Sequence, residues 1–220
     1  MEKANLKALF RRAKAFYEIG EFNLSMQDIN QFLQLDPHHV EAQNFKENLD
    51  SKLNKELRSD ELKNEGNLYM KDEKYELALQ SYSQSICLNP ENLNSISNRS
   101  LVLLKLSKFE EAEKDASQIL SLCLSRTDVS SIQLVRKALY RRALARLELY
   151  KRNNLDEESL KNSSVDALEL IRLDPKNEQG QKLSAEISEV LSLRRSQTSN
   201  KSNSVQDKEC IPEPAKTFYE

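Results

Sequence analysis

Apolar residues recur along most of the chain every three to four positions, the spacing that places them on one face of an α-helix. Between residues 62 and 90 the small and large members of this pattern are Leu62, Gly66, Tyr69, Tyr75, Ala78, Tyr82 and Pro90. Gly66 and Ala78 leave room for two antiparallel helices to approach closely, and the tyrosines fill the space between them. Pro90 ends the second helix because it lacks a backbone donor and pushes Asn89 out of the helical region. The pattern therefore predicts a pair of helices.

Three further stretches carry the same kind of pattern. A copy that begins at Ile96, one period after Leu62, lacks the closing proline and has Leu124 in its place, so we expect its turn in the stretch 125–131. Another begins at Lys137 and closes at Asp174-Pro175, with about eight surplus residues expected to form a loop at 151–164. The first copy occupies the N-terminal residues, at Leu9, Ala13, Phe16, Phe22, Ile29, Phe32 and Pro37.

Two single helices are expected beside these pairs. One follows the first copy, from Val40 to Leu57, and the stretch 50–60 is the expected junction between two domains. The other runs from Asn177 to Arg195, and its apolar positions would cover the exposed face of the last repeat, as the ends of repeat arrays require. These positions are Leu183, Ile187, Val190 and Leu191.

Composition supports an all-α fold. Hydrophobic residues make up 38% and charged residues 31% of the chain, and only three glycines and five prolines are present. This leaves few turns for a sheet and suits helix pairs. We expect a single repeat with its following helix at 1–57, which could be the end of a longer upstream array. A three-repeat domain with its capping helix is expected at 58–195, and a disordered polar tail at 196–220, which lacks the apolar residues needed to order itself.

Charge and cysteine content limit the classes of function. The net charge of −2 gives no general attraction to nucleic acid or to an anionic membrane. No apolar run approaches the roughly 18 residues that a membrane span requires, so no membrane insertion is expected. Three widely spaced cysteines, Cys87, Cys123 and Cys210, fit a reducing compartment and a cytoplasmic location. We expect Cys87 and Cys123 to lie in the helical core.

No pattern in the chain is typical of catalysis. His38 and His39 are adjacent in a predicted turn and have no metal-ligand companions at workable spacing, so they are interpreted as exposed turn residues. The sequence contains no nucleophile motif and no glycine-rich phosphate loop. A non-enzymatic protein without a cofactor or a metal is therefore expected.

Five polar residues instead form a candidate binding site. Lys63 and Asn67 are four residues apart on one predicted helix, and so are Lys137 and Arg141; Asn98 follows Asn67 by nearly one repeat period. All five belong to the first helices of successive pairs. Ammonium, guanidinium and amide groups are donors that a carboxylate can accept, and charge-assisted bonds of this kind are strong. The set predicts a groove for the free carboxylate end of another protein.

The chain resembles the carboxylate-clamp tetratricopeptide domains of chaperone cofactors over residues 59–195. The resemblance rests on Lys63 and Asn67 in Leu-Lys-Asn-Glu-Gly-Asn, on Asn98 in Ser-Asn-Arg-Ser, and on Lys137 and Arg141 in Lys-Ala-Leu-Tyr-Arg-Arg. It implies a right-handed superhelix of antiparallel helix pairs that binds the Glu-Glu-Val-Asp tail of heat shock protein 90 or heat shock protein 70. The extra residues between Asn98 and Lys137 and the insertion after Tyr150 depart from the family pattern.

The resemblance further implies a cochaperone or adaptor that brings a chaperone to a client. The tandem arrangement is similar to sperm-associated-antigen-1-like cofactors, which serve the assembly of large complexes such as dynein arms. Met70 and Leu101, one turn beyond the asparagines, are candidates for an apolar pocket that receives the peptide; plain packing inside the domain is the alternative interpretation.

Other interpretations stay open. The same clamp occurs in protein-import cofactors at the mitochondrial outer membrane, and a structural scaffold without clamp activity is a third possibility. In the scaffold the terminal Tyr219-Glu220 could fill the groove. Lys7 and Arg11 repeat half of the five-residue set and are either part of a second clamp or a motif without partners in this chain.

Overall fold

A computed structural model describes residues 2–123, 126–153 and 157–206, and all regular elements within these ranges are α-helices. They are, in chain order, α1 (Glu2–Glu18), α2 (Phe22–Leu35), α3 (Val40–Lys71), α4 (Tyr75–Leu88), α5 (Leu93–Lys105), α6 (Phe109–Cys123), α7 (Val129–Asn153), α8 (Glu157–Leu173) and α9 (Glu178–Gln206). The all-α class and the antiparallel helix pairs predicted from the sequence are confirmed.

The helices form two compact units. The first comprises residues 1–102 and the second residues 103–220, so the boundary falls inside α5, after Val102. The predicted junction at 50–60 lies instead in the middle of α3, within the first unit. The functional division of the chain at 57 and 58 stays a prediction.

The first core of unit 1 joins α1, α2 and the first half of α3. Its buried members are Leu9, Ala13, Ile29, Phe32, Ala42 and Leu49. Phe10 lies at the centre of an aromatic cluster, with ring centroids 5.3 Å from Phe32 and 5.8 Å from Phe45. His39 belongs to the same cluster and accepts the backbone N–H of Ala42 on Nδ1, which caps α3. His39 is thus a half-buried capping residue. The sequence-based interpretation of His39 as an exposed turn residue is wrong.

The second half of α3 packs on α4 through small residues. A Cβ atom at Gly66 would lie 2.7 Å from Cε1 of Tyr82, so the glycine gives the tyrosine ring its place. Ala78 and Tyr82 are almost fully buried. Ser59 and Ser85 hydrogen-bond each other across the two helices, and Ser85 also contacts Ser95 at the start of α5. These serines fill a tight contact while keeping every buried hydroxyl hydrogen-bonded.

One turn geometry recurs between the two helices of a pair. Gly20, Glu73 and Ser107 each have a positive φ, between 57° and 81°. Each donates its N–H to the carbonyl three residues before, and the next residue bonds five residues back. Only Gly20 adopts this conformation without a steric cost. At the other end of the pairs, α4 stops at Leu88 and Asn89 is extended, as Pro90 predicts.

Unit 2 is built around α7, α8 and α9. Its core contains Ala143, Leu147, Tyr150, Leu160, Ala167, Leu183 and Ile187, with Val190 and Leu191 packed against them. The apolar positions predicted for the last helix are therefore the ones that contact the last pair. This confirms the capping role that the sequence indicates for α9.

Several predicted helix ends are wrong. The helix from Val40 continues to Lys71 instead of ending at Leu57, because no proline lies between these two residues to stop it. The surplus at 151–164 does not form a long loop: it lengthens α7 to Asn153, and α8 begins at Glu157. The helix α7 also starts at Val129, inside the expected turn, where Asp128 caps it. Leu124 and Ser125 lie outside the described residues.

The predictions for the C-terminal tail and for the cysteines are only partly correct. Helix α9 extends to Gln206, so residues 196–206 of the expected disordered tail are helical, and 207–220 lie outside the described residues. Cys123 is buried as predicted, whereas Cys87 is exposed and the prediction of a core position for it is wrong. Cys210 lies outside the described part of the chain. None of the described helices combines the length and the hydropathy needed to cross a membrane.

Replacing Gly66 with Ala should destabilise unit 1. The new Cβ overlaps the buried Tyr82 ring, and such overpacking costs about 1–3 kcal/mol, more than the gain of about 1 kcal/mol in helix propensity. Urea unfolding should show a net loss of up to about 2 kcal/mol. Adding Tyr82→Leu in the Gly66→Ala background should cost less than Tyr82→Leu alone. If Tyr82→Leu costs the same free energy of unfolding in both backgrounds, the ring of Tyr82 does not contact the added Cβ.

The cap of α7 should make stability depend on pH. The hydroxyl of Ser130, 2.5 Å from Oδ2 of Asp128, and both the hydroxyl and the backbone N–H of Ser131 hold the pKa of Asp128 well below its usual range. A carboxyl whose pKa is lowered on folding stabilises the folded protein at pH values above the pKa that the group has in the unfolded chain, which is about 3.9 for an aspartate. This stabilisation is lost as the pH falls below that value toward the pKa of the folded state. The advantage of wild type over Asp128→Asn in thermal unfolding should be constant from pH 7 to 5 and shrink below pH 4. A difference that persists unchanged at pH 2 contradicts the assignment.

Candidate functional site

The second half of α3 and the first part of α5 place three of the five candidate residues together in unit 1. Lys63 and Asn67 lie one turn apart on α3. Asn98 lies on α5, and its Nδ2 donates to Oδ1 of Asn67 at 2.9 Å. The two asparagines, which we call the amide pair, are thus in direct contact, as their spacing of nearly one repeat predicts.

Tyr82 determines which end of the amide pair is available. Its hydroxyl donates to Oδ1 of Asn67 at 2.7 Å, so this oxygen accepts two hydrogen bonds, from Tyr82 and from Asn98. Within the described residues Nδ2 of Asn67 has no acceptor, and Asn98 spends one of its two Nδ2 hydrogens on the bond to Asn67. The pair therefore presents donors, which is what a carboxylate requires.

Lys63 already has a partner. Its Nζ lies 2.7 Å from Oδ1 of Asp60, one turn earlier on α3. The side chain of Lys63 is 20% exposed and that of Asp60 is 59% exposed. Asn92 also donates to Oδ1 of Asp60, at 3.1 Å. The charge of Lys63 is consequently partly neutralised by a carboxylate of the chain itself.

The other two candidate residues belong to α7 of unit 2 and differ in their surroundings. Lys137 is exposed and forms no ion pair within the described residues. Arg141 is only 7% exposed and interacts with other groups of the protein. The lysine is thus accessible to a ligand from solvent, whereas the guanidinium of Arg141 is held by the fold.

The arginine that follows Arg141 has a structural role. Arg142 pairs with the buried Asp166 through two bonds, Nε at 2.8 Å and Nη2 at 2.6 Å, and Arg146 adds a third at 2.9 Å. In unit 1 the equivalent Arg12 pairs with the buried Asp28 in the same way, at 2.6 and 2.7 Å. The strings at 7–12 and 137–142 both end in an arginine that forms an ion pair inside the protein. The presence of this arginine therefore has a structural reason that does not involve a ligand.

Lys7 and Arg11 are both exposed on α1. Neither has a hydrogen bond or an ion pair among the residues that the structure describes. Their role in a second clamp stays a prediction.

The candidate apolar pocket residues lie beside the amide pair in sequence. Met70 on α3 and Leu101 on α5 are both half-buried, so each keeps part of its surface accessible. Tyr69, next to Met70, donates its hydroxyl to Glu65 at 3.1 Å, and this bond raises the pKa of the phenol. In the described ranges no group of three or more His, Cys, Asp or Glu side chains could hold a metal ion.

Sequence reasoning missed two residues of the site. Tyr82 was assigned only to the space between the helices, although a tyrosine that spans a helix pair also places a hydroxyl on the far side. Asp60 was overlooked, although an aspartate three residues before a lysine on a helix is a known signal for an ion pair. Both contacts depend on side-chain directions that spacing alone does not give.

Comparison with known proteins places this geometry in context. The sequence profile of the Tetratricopeptide repeat family matches residues 6–39, which span α1, α2 and the turn after them. Sperm-associated antigen 1 of Homo sapiens is 33% identical over 133 residues. This match covers 60% of the chain but only 12% of the relative, so the chain spans a small part of that protein.

Solved structures with the same fold cover more than half of the chain. The first TPR of Spaghetti (RPAP3), bound to the HSP90 peptide SRMEEVD, is 27% identical with a TM-score of 0.52, over 62% of this chain and 95% of that one. The first TPR domain of human RPAP3 is 28% identical with a TM-score of 0.50, over 63% and 96%. TPR denotes the tetratricopeptide repeat.

Removing the hydroxyl of Tyr82 should weaken the amide pair without disturbing the helix packing. Tyr82→Phe deletes one bond to Asn67 and keeps the ring beside Gly66, so the free energy of unfolding should fall by about 0.5–1.5 kcal/mol. The Nδ2 resonances of Asn67 in NMR spectra should broaden or shift, because the amide is held by Asn98 alone. Tyr69→Phe, which removes an exposed hydroxyl bond, is the control and should leave these resonances in place. Unchanged Asn67 signals in Tyr82→Phe would contradict the assigned orientation.

Proposed function

We propose that this chain, which matches the tetratricopeptide-repeat profile at residues 6–39 and shares the fold of solved tetratricopeptide-repeat domains, acts as a non-enzymatic cochaperone or adaptor that binds the acidic C-terminal tail of heat shock protein 90 or heat shock protein 70. The observation that carries the proposal is the amide pair: Tyr82 and Asn98 both bond to Oδ1 of Asn67, which leaves its Nδ2 hydrogens for a ligand. The bound HSP90 peptide of the Spaghetti (RPAP3) structure ends in Glu-Glu-Val-Asp and supports the choice of ligand.

The chemistry of such a tail matches the donors. A C-terminal aspartate carries a main-chain carboxylate and a side-chain carboxylate, each an acceptor of several hydrogen bonds. We assign a carboxylate of the ligand to the amide pair and Lys63 of unit 1, and we propose Lys137 and Arg141 of unit 2 as further carboxylate-binding residues. Met70 and Leu101 are the candidate contacts for the neighbouring valine.

The cellular role is part of the same proposal. A protein that holds a chaperone tail in this way would bring the chaperone to a client or an assembly complex in the cytoplasm. A role in the assembly of large complexes, such as dynein arms, is part of this proposal and rests on the resemblance to sperm-associated-antigen-1-like cofactors.

Calorimetric titration tests the binding step. The peptide Ser-Arg-Met-Glu-Glu-Val-Asp should bind with micromolar affinity, which corresponds to a binding free energy of about −8 kcal/mol. The same peptide amidated at its C-terminus should bind far more weakly. Asn98→Ala and Lys137→Glu should each cost about 1.5–3 kcal/mol, because a charged acceptor loses a donor.

Lys7→Glu is the matched control for Lys137→Glu. Both lysines are exposed and open matching strings on α1 and α7, and both substitutions change the net charge equally. Lys7→Glu should leave the affinity within about twofold of wild type, since Lys7 is not one of the five proposed ligand-binding residues and an exposed charge is screened by salt. Equal losses in both variants would remove Lys137 from the site, and equal binding of the free and amidated peptides would favour a scaffold without clamp activity.

A further inference from the structure

Two side chains, Lys63 on α3 and Asn92 in the turn before α5, hold the carboxylate of Asp60 in place. Its Oδ1 accepts from Nζ of Lys63 at 2.7 Å and from Nδ2 of Asn92 at 3.1 Å. Asn92 is itself fixed, because it donates to Oγ of Ser59 at 3.0 Å and accepts the backbone N–H of Ser95 at 3.2 Å. The turn before α5 therefore holds the Asp60 carboxylate next to the ammonium of Lys63.

Lys63 differs in this respect from the two other candidate lysines, Lys7 and Lys137. Lys7 and Lys137 are exposed and have no acidic partner within the described ranges. Lys63 is the most enclosed of the three and is paired with a carboxylate. The difference is local and is produced by one residue, since no other acidic side chain pairs with Lys63 in the described part of the chain.

A carboxylate that approaches Lys63 meets an ammonium whose charge is already balanced. An ammonium has three donors, so Lys63 can bond Asp60 and a ligand at once, but the two carboxylates then repel each other at short range. Binding must either move Lys63 away from Asp60 or bring two like charges together. Both routes reduce the gain from the charge-assisted bond.

We infer that Asp60 is an internal competitor for Lys63 that lowers the affinity of the site for acidic C-terminal peptides. This inference rests on the proposed function and deepens it, since it names the residue that limits how tightly this site holds its ligand. Removing the charge of Asp60 should therefore strengthen binding, whereas most substitutions at a binding site weaken it.

The substitution Asp60→Asn isolates the charge. Asparagine has nearly the same shape and keeps an oxygen that accepts from Asn92. The peptide Ser-Arg-Met-Glu-Glu-Val-Asp should bind to Asp60→Asn roughly two- to fivefold more tightly than to wild type, the range expected for an exposed ion pair. The affinity should also fall more steeply with salt, because Lys63 then meets the ligand with its full charge.

Asp72→Asn is the matched control. Asp72 is 59% exposed, the same fraction as Asp60, and pairs with Lys74 at 3.0 Å directly after α3. This substitution removes the same charge from the same unit without changing the surroundings of Lys63. The variant should therefore bind the peptide with the affinity of wild type. Equal tightening by Asp60→Asn and Asp72→Asn would reduce the effect to net charge and overturn the inference.

A double variant shows whether the effect passes through Lys63. In the background of Lys63→Gln, Asp60→Asn should give no tightening, because the cation for which the carboxylates compete is absent. Persistent tightening in that background overturns the inference, and so does unchanged or weaker binding by Asp60→Asn alone.

The same titrations separate the inference from the proposed function. If wild type binds the free peptide and not the amidated one, yet Asp60→Asn brings no gain, the proposed function stands and the role of Asp60 is overturned. If neither wild type nor Asp60→Asn binds the free peptide, both are overturned. Binding by Asp60→Asn where wild type shows none supports the inference in its strongest form.

Discussion

The close approach of α3 and α4 at Gly66 is the contact on which the candidate site depends. Because Gly66 has no side chain, the ring of Tyr82 lies against the backbone of α3 and its hydroxyl reaches Asn67, the next residue on that helix. The packing of the pair and the orientation of the Asn67 amide are thus set by one buried side chain. A site that requires donors is in this way supported by the hydrophobic contact beneath it.

Two contrasting kinds of positive side chain occur in this protein. Arg12 and Arg142 form bidentate pairs with buried aspartates, Asp28 and Asp166, and hold the two helices of a pair together. A guanidinium suits this task because its planar fork matches a carboxylate. The lysines Lys7 and Lys137 remain in solvent, where a compact ammonium is accessible to ligands. The near-zero net charge therefore coexists with local positive positions.

Much of the fold could be predicted from the sequence, because repeat spacing and small residues at helix contacts leave a clear pattern. Leu62, Ala78 and Tyr82 are buried as their positions indicate, and the capping residues Leu183 and Ile187 contact the last pair. Helix ends were harder to predict, because continuation depends on the absence of a stop signal, and tertiary packing decides whether polar stretches such as 157–164 become helical.

The site was predictable to a smaller degree. The contact between Asn67 and Asn98 follows from the repeat period. The orientation of an amide does not, since asparagine has a donor and an acceptor end and only its neighbours decide which end faces a ligand. The pairing of Lys63 with Asp60 depends in addition on Asn92, which reaches the same oxygen from a turn more than thirty residues away in sequence.

The continuity of α3 restricts how this chain can change during evolution. The helix contributes Leu49 to one core and Leu62 to the contact with α4, with no break between them. A single inserted or deleted residue in 50–60 would rotate one half against the other by about 100° and turn one apolar stripe toward solvent. Only length changes close to whole numbers of turns, such as about seven or eleven residues, preserve both faces. Apart from Ser59, which packs against Ser85, and Asp60, this polar stretch should therefore tolerate substitutions far better than insertions or deletions.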